Sequence, residues 1–458
     1  MKKAYVLASG YGRKMWPYSD KWQKCCIRVG NIPNIVRTIS TLKELGISDI
    51  TVAAGHMAAQ VKYCLRNVEG VDLVEEQSPK GTACSLLNCI KEEVPEDFIV
   101  VYGDSVIDKD SMRGLLEQYD REGISILTQK LRGETRANYH MCAQVEQGRV
   151  KAIYGHPREH YVNSRIAGAF ALNKEVIPFL KANPGRMLNV PVGGMPPEEY
   201  MLEQSLQMMV ESNMDVYASE VVRYCIDLDK PWNILDANDE IIIDTFREMS
   251  SDTLYEGAHI DESAVIMGRI RLGKGSRIGK NVIIKGDVWI GDNTLIDSGA
   301  ILEGNNIIGD GCRISDYCKI SSNTTIGDKN KIGFGAEVQG VTFDNVSIVH
   351  TSEVYGVVGS HTDIAAGCMM GILRFDDGTC RQKVGGGYEE AGKYGNAVFL
   401  GDYTRTGISN IYYPGVKVGS NCAIGPGAIV DKDVPSNKMV LVEQNKIYRD
   451  WGTERYNW

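Results

Sequence analysis

From Ile260 to Val338 the chain reads IDESAVIMGRIRLGKGSRIGKNVIIKGDVWIGDNTLIDSGAILEGNNIIGDGCRISDYCKISSNTTIGDKNKIGFGAEV. Every sixth residue is aliphatic: Ile260, Ile266, Leu272, Ile278, Ile284, Ile290, Ile296, Leu302, Ile308, Ile314, Ile320, Ile326, Ile332 and Val338. Neither the helical period nor strand alternation produces this spacing. Four places after each aliphatic residue stands a small or β-branched one, as at Ala264, Ser276, Thr294, Ala300, Cys312, Thr324 and Ala336, and the turns between carry Gly, Asp, Asn and Lys. Each repeat therefore supplies a short strand and a tight turn, and the stacked aliphatic residues become the core of a parallel β-helix. Flat solenoid faces favour closed homo-oligomers.

Outward from this array the register changes. It fails after Val338, resumes through Ile348 and Val354, skips to Val358 and Ile364, and breaks in a glycine-rich segment near 376–396. It returns at Leu400, Thr406, Tyr412, Val418, Ile424 and Val430. Interruptions in a solenoid are where loops leave the face, and such loops carry function. Two features flank the break: His350, and Arg374-Phe375-Asp376-Asp377-Gly378.

Before the array, apolar runs alternate with helical stretches. The runs include Tyr5-Val6-Leu7, Ile50 to Ala53, Val71 to Val74, Phe98 to Val101 and Ile124 to Leu127; the helices are expected near 33–45, 57–66, 82–92 and 110–122. Such alternation predicts a doubly wound α/β sheet, whose ligands bind beyond the carboxyl ends of the strands. The expected division is an α/β domain over 1–228, a helical connector over 229–252, the β-helix over 253–440 and a tail over 441–458.

The strand ends hold the candidate chemistry. Leu7-Ala8-Ser9-Gly10-Tyr11-Gly12-Arg13-Lys14 puts two glycines and two cations after a strand, which gives phosphates close access to backbone N–H groups and positive charge. Met15 stands where a dinucleotide fingerprint needs its third glycine, so a nicotinamide cofactor is not expected. Gln77, with a donor and an acceptor, is suited to a base edge, and Gly81 before Thr82 lets a flat group lie on the backbone. Gly103-Asp104 ends a buried run and Asp227 ends another; two such carboxylates suffice to hold Mg²⁺ against phosphates.

Composition bounds the rest. The chain has 458 residues, 43% hydrophobic and 24% charged, with a net charge of -9 that argues against general nucleic-acid binding. Its twelve cysteines lack zinc-type spacing and read as reduced, buried hydrophobes of a cytoplasmic protein. The apolar run near Met1 is too short for a secretory signal, and no run is long enough to span a membrane.

The order of Leu-Ala-Ser-Gly-Tyr-Gly-Arg-Lys-Met-Trp-Pro, Lys24, Gly81-Thr82, Gly103-Asp104 and Asp227-Leu-Asp-Lys-Pro-Trp resembles the sugar-1-phosphate nucleotidylyltransferases, many of which continue into a hexapeptide domain. The resemblance implies that Leu7, Ala8, Gly10, Gly12, Arg13, Lys14 and Lys24 hold a nucleoside triphosphate, with the cations in catalytic roles. It further implies that Gln77, Gly81 and Thr82 border the base, that Gly103 and Gly168 line the substrate site, and that Asp104 and Asp227 bind Mg²⁺. A sugar 1-phosphate would attack the α-phosphorus and pyrophosphate would leave.

The segment around His350 and Arg374 to Gly378, followed by Gly401-Asp-Tyr-Thr-Arg-Thr-Gly407, resembles the acetyltransferase half of archaeal-type bifunctional nucleotidylyltransferases and of the bacterial N-acetylglucosamine-1-phosphate uridylyltransferase. That likeness implies a left-handed β-helix with acetyl-CoA as co-substrate and His350 as the base; imidazole ordinarily titrates near neutral pH. The chain departs from the family at Arg13-Lys14, where Thr or Ser precedes Arg, at Gln23, where Pro is usual, at Gly155-His156-Pro157 for Glu-Lys-Pro, and at Ile372 for Asn. Two other readings stay open at this point: a pyrophosphorylase with a purely structural β-helix, and a regulatory or scaffolding relative.

Overall fold

The computed structural model describes residues 1–90, 94–131, 136–190 and 198–456. The amino-terminal half is built on a nine-stranded sheet in the order Val71–Glu75, Asp49–Ala54, Lys3–Ala8, Asp97–Tyr102, Ser164–Asn173, Ser125–Lys130, Tyr217–Glu220, Arg149–Gly155 and Met141–Glu146. Its first four strands run parallel, as the continuous apolar runs predict; Ser164–Asn173 is antiparallel to both of its neighbours in that order. The sheet is therefore mixed. Helices Asn34–Glu44, Ala58–Leu65, Thr82–Cys89 and Lys109–Glu122 cover it; residues 91 and 92 of the expected third helix lie outside the described residues. Lys109–Glu122 starts where the Asp108 side chain accepts the Ser111 N–H at 3.0 Å and stops at Gly123, whose φ of 96° only glycine adopts freely.

Helix Asn233–Glu248 joins the halves, burying Ile234, Ile241 and Phe246. Beyond it, short parallel strands from Thr253–Leu254 to Met439–Val440 stack as a left-handed parallel β-helix. One aliphatic ladder runs Ile260, Ile278, Ile296, Ile314, Ile332, Ile348 and Ile364, each residue in register with the next. From Ile278 onward these side chains are at most 2% exposed. The hydrophobic stack thus explains the six-residue period.

Equivalent positions on successive coils are 18 residues apart at Arg269 and Asp287. The spacing shortens to 16 at Asp328 and Asp344, and grows to 42 at Ser360 and Asp402. The lengthened coil carries an antiparallel hairpin, Arg381–Val384 with Gly387–Glu390, in the glycine-rich segment. This hairpin reaches back to the first half.

The two halves pack directly. Met15, Tyr18, Ile27, Trp232, Phe343 and Phe399 share one apolar cluster. Around it the Tyr18 hydroxyl donates to the Val357 carbonyl at 2.7 Å, Trp22 Nε1 to Asp402 at 2.8 Å and Trp16 Nε1 to Ser436 at 3.2 Å. Arg28 bridges Asp328 and Asp344 at 2.9 and 3.0 Å.

Candidate active site

A cleft of about 580 Å³ opens at the carboxyl ends of the central strands, lined by Leu7, Ala8, Gly10, Gly12, Arg13, Lys14, Lys24, Gly81, Thr82, Asp104 and Asp227 among others. Strand Lys3–Ala8 delivers the first loop. Gly12 has a φ of 60°, and a Cβ there would press within 3.3 Å of the Lys24 side chain, so glycine lets that lysine cross the loop. Gly10 faces open space, leaving its backbone accessible. Arg13 lies over the Tyr11 ring at 5.3 Å, and Lys14 Nζ is 3.4 Å from Asp229.

Lys24 forms an ion pair with Asp104. Asp227 joins them because its strand, Cys225–Asp227, pairs antiparallel with Ser105–Ile107, and the Leu228 N–H donates to the Asp104 carbonyl at 2.9 Å. Burial works against the Lys24 ammonium, but Asp104, Asp227 and Asp229 outweigh it and hold its pKa above the ordinary value. Burial pushes the Asp227 carboxyl up to about 7; Asp104 adds to the rise and Lys24 opposes it. Asp229 moves the other way: burial raises it, yet Lys24, Lys14 and Lys230 hold it below the usual range. Two close carboxylates, one of them reluctant to ionise, are the donor set that a divalent cation relieves. Asp104 and Asp227 are thus the residues that would hold a divalent cation such as Mg²⁺, and the cation would supply neutralising charge to phosphates.

Not all residues singled out from the sequence line this cleft. Gln77 is exposed and outside its wall. Gly103 acts through the backbone: its N–H donates to the Leu7 carbonyl at 2.9 Å. Gly168, with a φ of 68°, sits at a break in strand register, where a Cβ would fall 2.3 Å from Ser105 Oγ. Both glycines shape the surroundings of the turn that carries Asp104, between Asp97–Tyr102 and Ser105–Ile107.

Other residues emerge only in three dimensions. Gln23, 1% exposed, donates from its amide to the Ala8 and Gly10 carbonyls at 2.8 and 3.2 Å and accepts the Cys25 N–H at 2.7 Å. It braces the glycine loop. Glu76 accepts from Ser9 at 2.5 Å and Ser85 at 2.7 Å. Glu199, Met201 and Glu203 form a further part of the wall. No local pattern announces these contacts, most of which join separate elements of the fold.

A second cavity, of about 550 Å³, lies where the β-helix hairpin meets the first half and is lined by His140, Arg165, Asp227, Lys230 and Glu389, among others. On the β-helix itself, His350 is exposed, with a φ of 56° and its ring stacked 4.4 Å from Phe334. Arg374 grips Asp376 through two hydrogen bonds of 2.8 and 2.6 Å, leaving Phe375 fully exposed. Ile372 offers only its carbonyl, which accepts from Asn396 at 3.1 Å.

The sequence matches the MobA-like NTP transferase domain over residues 4–174 and the bacterial transferase hexapeptide over 269–304. It is similar to the bifunctional sugar-1-phosphate nucleotidylyltransferase/acetyltransferase of Sulfurisphaera tokodaii, at 26% identity over 94% of this chain and 98% of that protein. It is also similar to the bifunctional protein GlmU of Methanocaldococcus jannaschii, at 25% identity over 97% and 99%. Among solved structures, the inositol-1-phosphate CTP transferase from T. maritima aligns with 51% of this chain and 91% of its own, at 19% identity and a TM-score of 0.43.

Proposed function

We infer, from a chain that joins an NTP transferase domain to a hexapeptide-repeat β-helix, that the protein is a bifunctional transferase acting on a sugar 1-phosphate. The first half transfers a nucleotidyl group and the second an acetyl group. The observation that carries the reading is the meeting of Lys24, Asp104 and Asp227 beneath a glycine loop, in a chain whose relatives match it along nearly their full length.

In the first half the glycine loop and Thr82 cradle the triphosphate and base, while Arg13, Lys14 and Lys24 balance the phosphate charge. The sugar phosphate oxygen forms a bond to the α-phosphorus as the bond to the bridging oxygen breaks, and pyrophosphate departs. Such transfer needs positioning and charge neutralisation rather than a covalent nucleophile. Mg²⁺ held by Asp104 and Asp227 supplies further neutralisation of the phosphates.

In the second half, His350 takes the proton from a sugar amine attacking the acetyl-CoA carbonyl, and CoA leaves as its thiol. One observation favours a β-helix that is structural alone: Ile372 brings no polar side chain, and the nearby Asn396 amide is spent on backbone carbonyls. Loss of acetyl transfer in His350→Ala separates the two readings.

The β-helix also supports a homo-oligomer. Met369, Ile411 and Ile429 stand in register on adjacent strands and are 41%, 44% and 59% exposed, an apolar ridge suited to a second copy. Among the described residues no helix is long and apolar enough to cross a membrane, and every described cysteine is free, in keeping with a cytoplasmic setting.

The test is pyrophosphate release from Mg²⁺, each nucleoside triphosphate in turn and a panel of sugar 1-phosphates, with Asp104→Ala as control. Release that requires one triphosphate, one sugar and Asp104 is expected. No release from folded protein with any pairing would overturn the reading.

A further inference from the structure

One corner of the β-helix is a column of residues on successive coils. The Gly335 N–H donates to the Asp316 carbonyl at 2.9 Å, the Thr351 N–H to the Phe334 carbonyl at 3.0 Å and the Gly367 N–H to the His350 carbonyl at 2.9 Å, which sets Asp316, Phe334, His350 and Ala366 rung upon rung. His350 and Phe334 meet face to face, with ring centroids 4.4 Å apart and planes 24° from parallel. That separation is close to the strand spacing of about 4.8 Å, so the rings overlie one another along the solenoid axis. The imidazole edge, which carries both nitrogens, therefore faces sideways out of the corner.

No other side chain orients this ring. Among the described residues neither nitrogen of His350 has a hydrogen-bond partner. A carboxylate ordinarily orients a working imidazole, yet the acid of this column, Asp316, lies beyond Phe334 and accepts from Ser315 Oγ at 2.9 Å. Ala366, on the next rung, offers the opposite face only a methyl group. Phe334 is 53% exposed, so its ring serves the corner rather than the core.

The backbone beneath is strained. His350 and Thr351 both have a φ of 56°, which a β-branched residue rarely adopts; the coils on either side place Gly335 and Gly367 at the position of Thr351, at 71° and 68°. The Thr351 hydroxyl donates to the His350 carbonyl at 2.7 Å. Strain kept at a corner where neighbouring coils use glycine points to a functional position.

We propose that Phe334 is the positioning residue of His350, its ring face holding the imidazole so that a nitrogen is turned toward an attacking amine. The proposal rests on the acetyl-transfer reading and deepens it. In that step the amine nitrogen bonds to the thioester carbonyl carbon and His350 takes the amine proton on its outward nitrogen. The carbon–sulfur bond then breaks, and the imidazolium returns the proton to the leaving thiolate. An exposed imidazole without the stack spreads over several rotamers, and only the fraction correctly turned can act.

The experiment follows CoA thiol released from acetyl-CoA by a panel of amino-sugar 1-phosphates, using the full chain and its Phe334→Leu and Phe334→Tyr variants. Phe334→Leu should lower kcat about tenfold with both KM values within about twofold; tenfold equals about 1.4 kcal/mol, near the upper range for a stacked aromatic pair. Phe334→Tyr keeps the ring and should restore most of the rate. Pyrophosphate release and the urea midpoint should match the unsubstituted protein, because Phe334 is half-exposed and outside the nucleotide cleft. In protein labelled with ¹³C-histidine, the His350 ring-proton signals, identified by their loss in His350→Ala, should move downfield in Phe334→Leu as the ring current is removed. Unmoved signals, an unchanged kcat, a loss confined to KM, or equal damage from Tyr and Leu overturns the role of Phe334 while leaving acetyl transfer standing. No thiol release from the unsubstituted protein with any amino sugar overturns acetyl transfer and this role together.

Discussion

Glu389 Oε2, on the hairpin that leaves the β-helix, lies 2.9 Å from Lys230 Nζ in the first half. The contact is an ion pair without an aligned hydrogen bond to that oxygen. Lys230 is in turn 3.5 Å from Asp229, and Asp229 is 3.4 Å from Lys14, so charges alternate from the β-helix into the nucleotide cleft. Lys230→Met would leave two partly buried carboxylates without their shared cation. A loss of about 3 kcal/mol in urea unfolding is expected, the usual cost of breaking a buried pair from one side. A change below about 0.5 kcal/mol, the size of an ordinary surface substitution, would show that the halves do not depend on it.

At the cleft, removing either carboxylate proposed to hold Mg²⁺ should be far more damaging to turnover than to folding. Asp104→Asn and Asp227→Asn are each expected to lower kcat/KM for pyrophosphate release about 100-fold or more, since electrostatic stabilisation is the main contribution such a site makes. Unchanged turnover in Asp227→Asn would remove it from the metal site.

Gln23 offers a test of the glycine loop. Its amide serves two carbonyls and one N–H, so Gln23→Ala leaves buried groups unpaired and frees the loop. We expect a loss of about 2 kcal/mol together with a several-fold rise in KM for the triphosphate. A stability loss with unaltered KM would confine Gln23 to folding.

His140 makes a prediction about acid. Burial, with Arg165 and Lys230 adding to it, lowers its pKa from the ordinary 6.5 to about 3. Between those values the unfolded chain binds a proton that the folded chain refuses, so stability falls as pH falls through that window. The slope from this residue is about 1 kcal/mol per pH unit. Subtracting the urea-stability profile of His140→Gln from that of the unsubstituted protein should isolate it. A flat difference would mean that His140 accepts a proton in the folded state.

For the second half, free thiol released from acetyl-CoA is the readout. His350→Ala should abolish release that depends on an amino sugar. Ile372→Asn, at a position 39% exposed and tolerant of a polar side chain, should raise it several-fold by supplying an amide to the substrate. No thiol release from either the unsubstituted protein or Ile372→Asn would assign the β-helix to structure alone.

Legibility followed the range of the interactions. The aliphatic ladder from Ile260 to Ile364 and the buried strand Lys3–Ala8 could be read directly, because in each the pattern and the burial are local. Asp104 and Asp227 were visible as strand-end acids, although only the pairing of Ser105 with Asp227 brings them together. Glu199 and Glu203 gave no signal: their place in the cleft wall depends on backbone hydrogen bonds from Tyr200 to Lys80 and Ala83. The helix-side acids of an ordinary surface look the same in sequence. The mixed order of the sheet escaped for a similar reason, since an apolar run does not reveal its direction.

The bonds from Trp16 to Ser436 and from Trp22 to Asp402 bear on how the molecule is made. Synthesis proceeds from the amino terminus, and early domains ordinarily fold while the rest emerges. Here the loop bearing Lys24 acquires its last supports from coils translated hundreds of residues later. Until the coils carrying Phe343 and Val357 have emerged, the apolar surface around Tyr18 and Trp22 lacks its β-helix cover. Nascent chains halted before residue 343 should therefore be protease-sensitive at this surface, and the loop bearing Lys24 gains its full set of supports only when the later coils are in place.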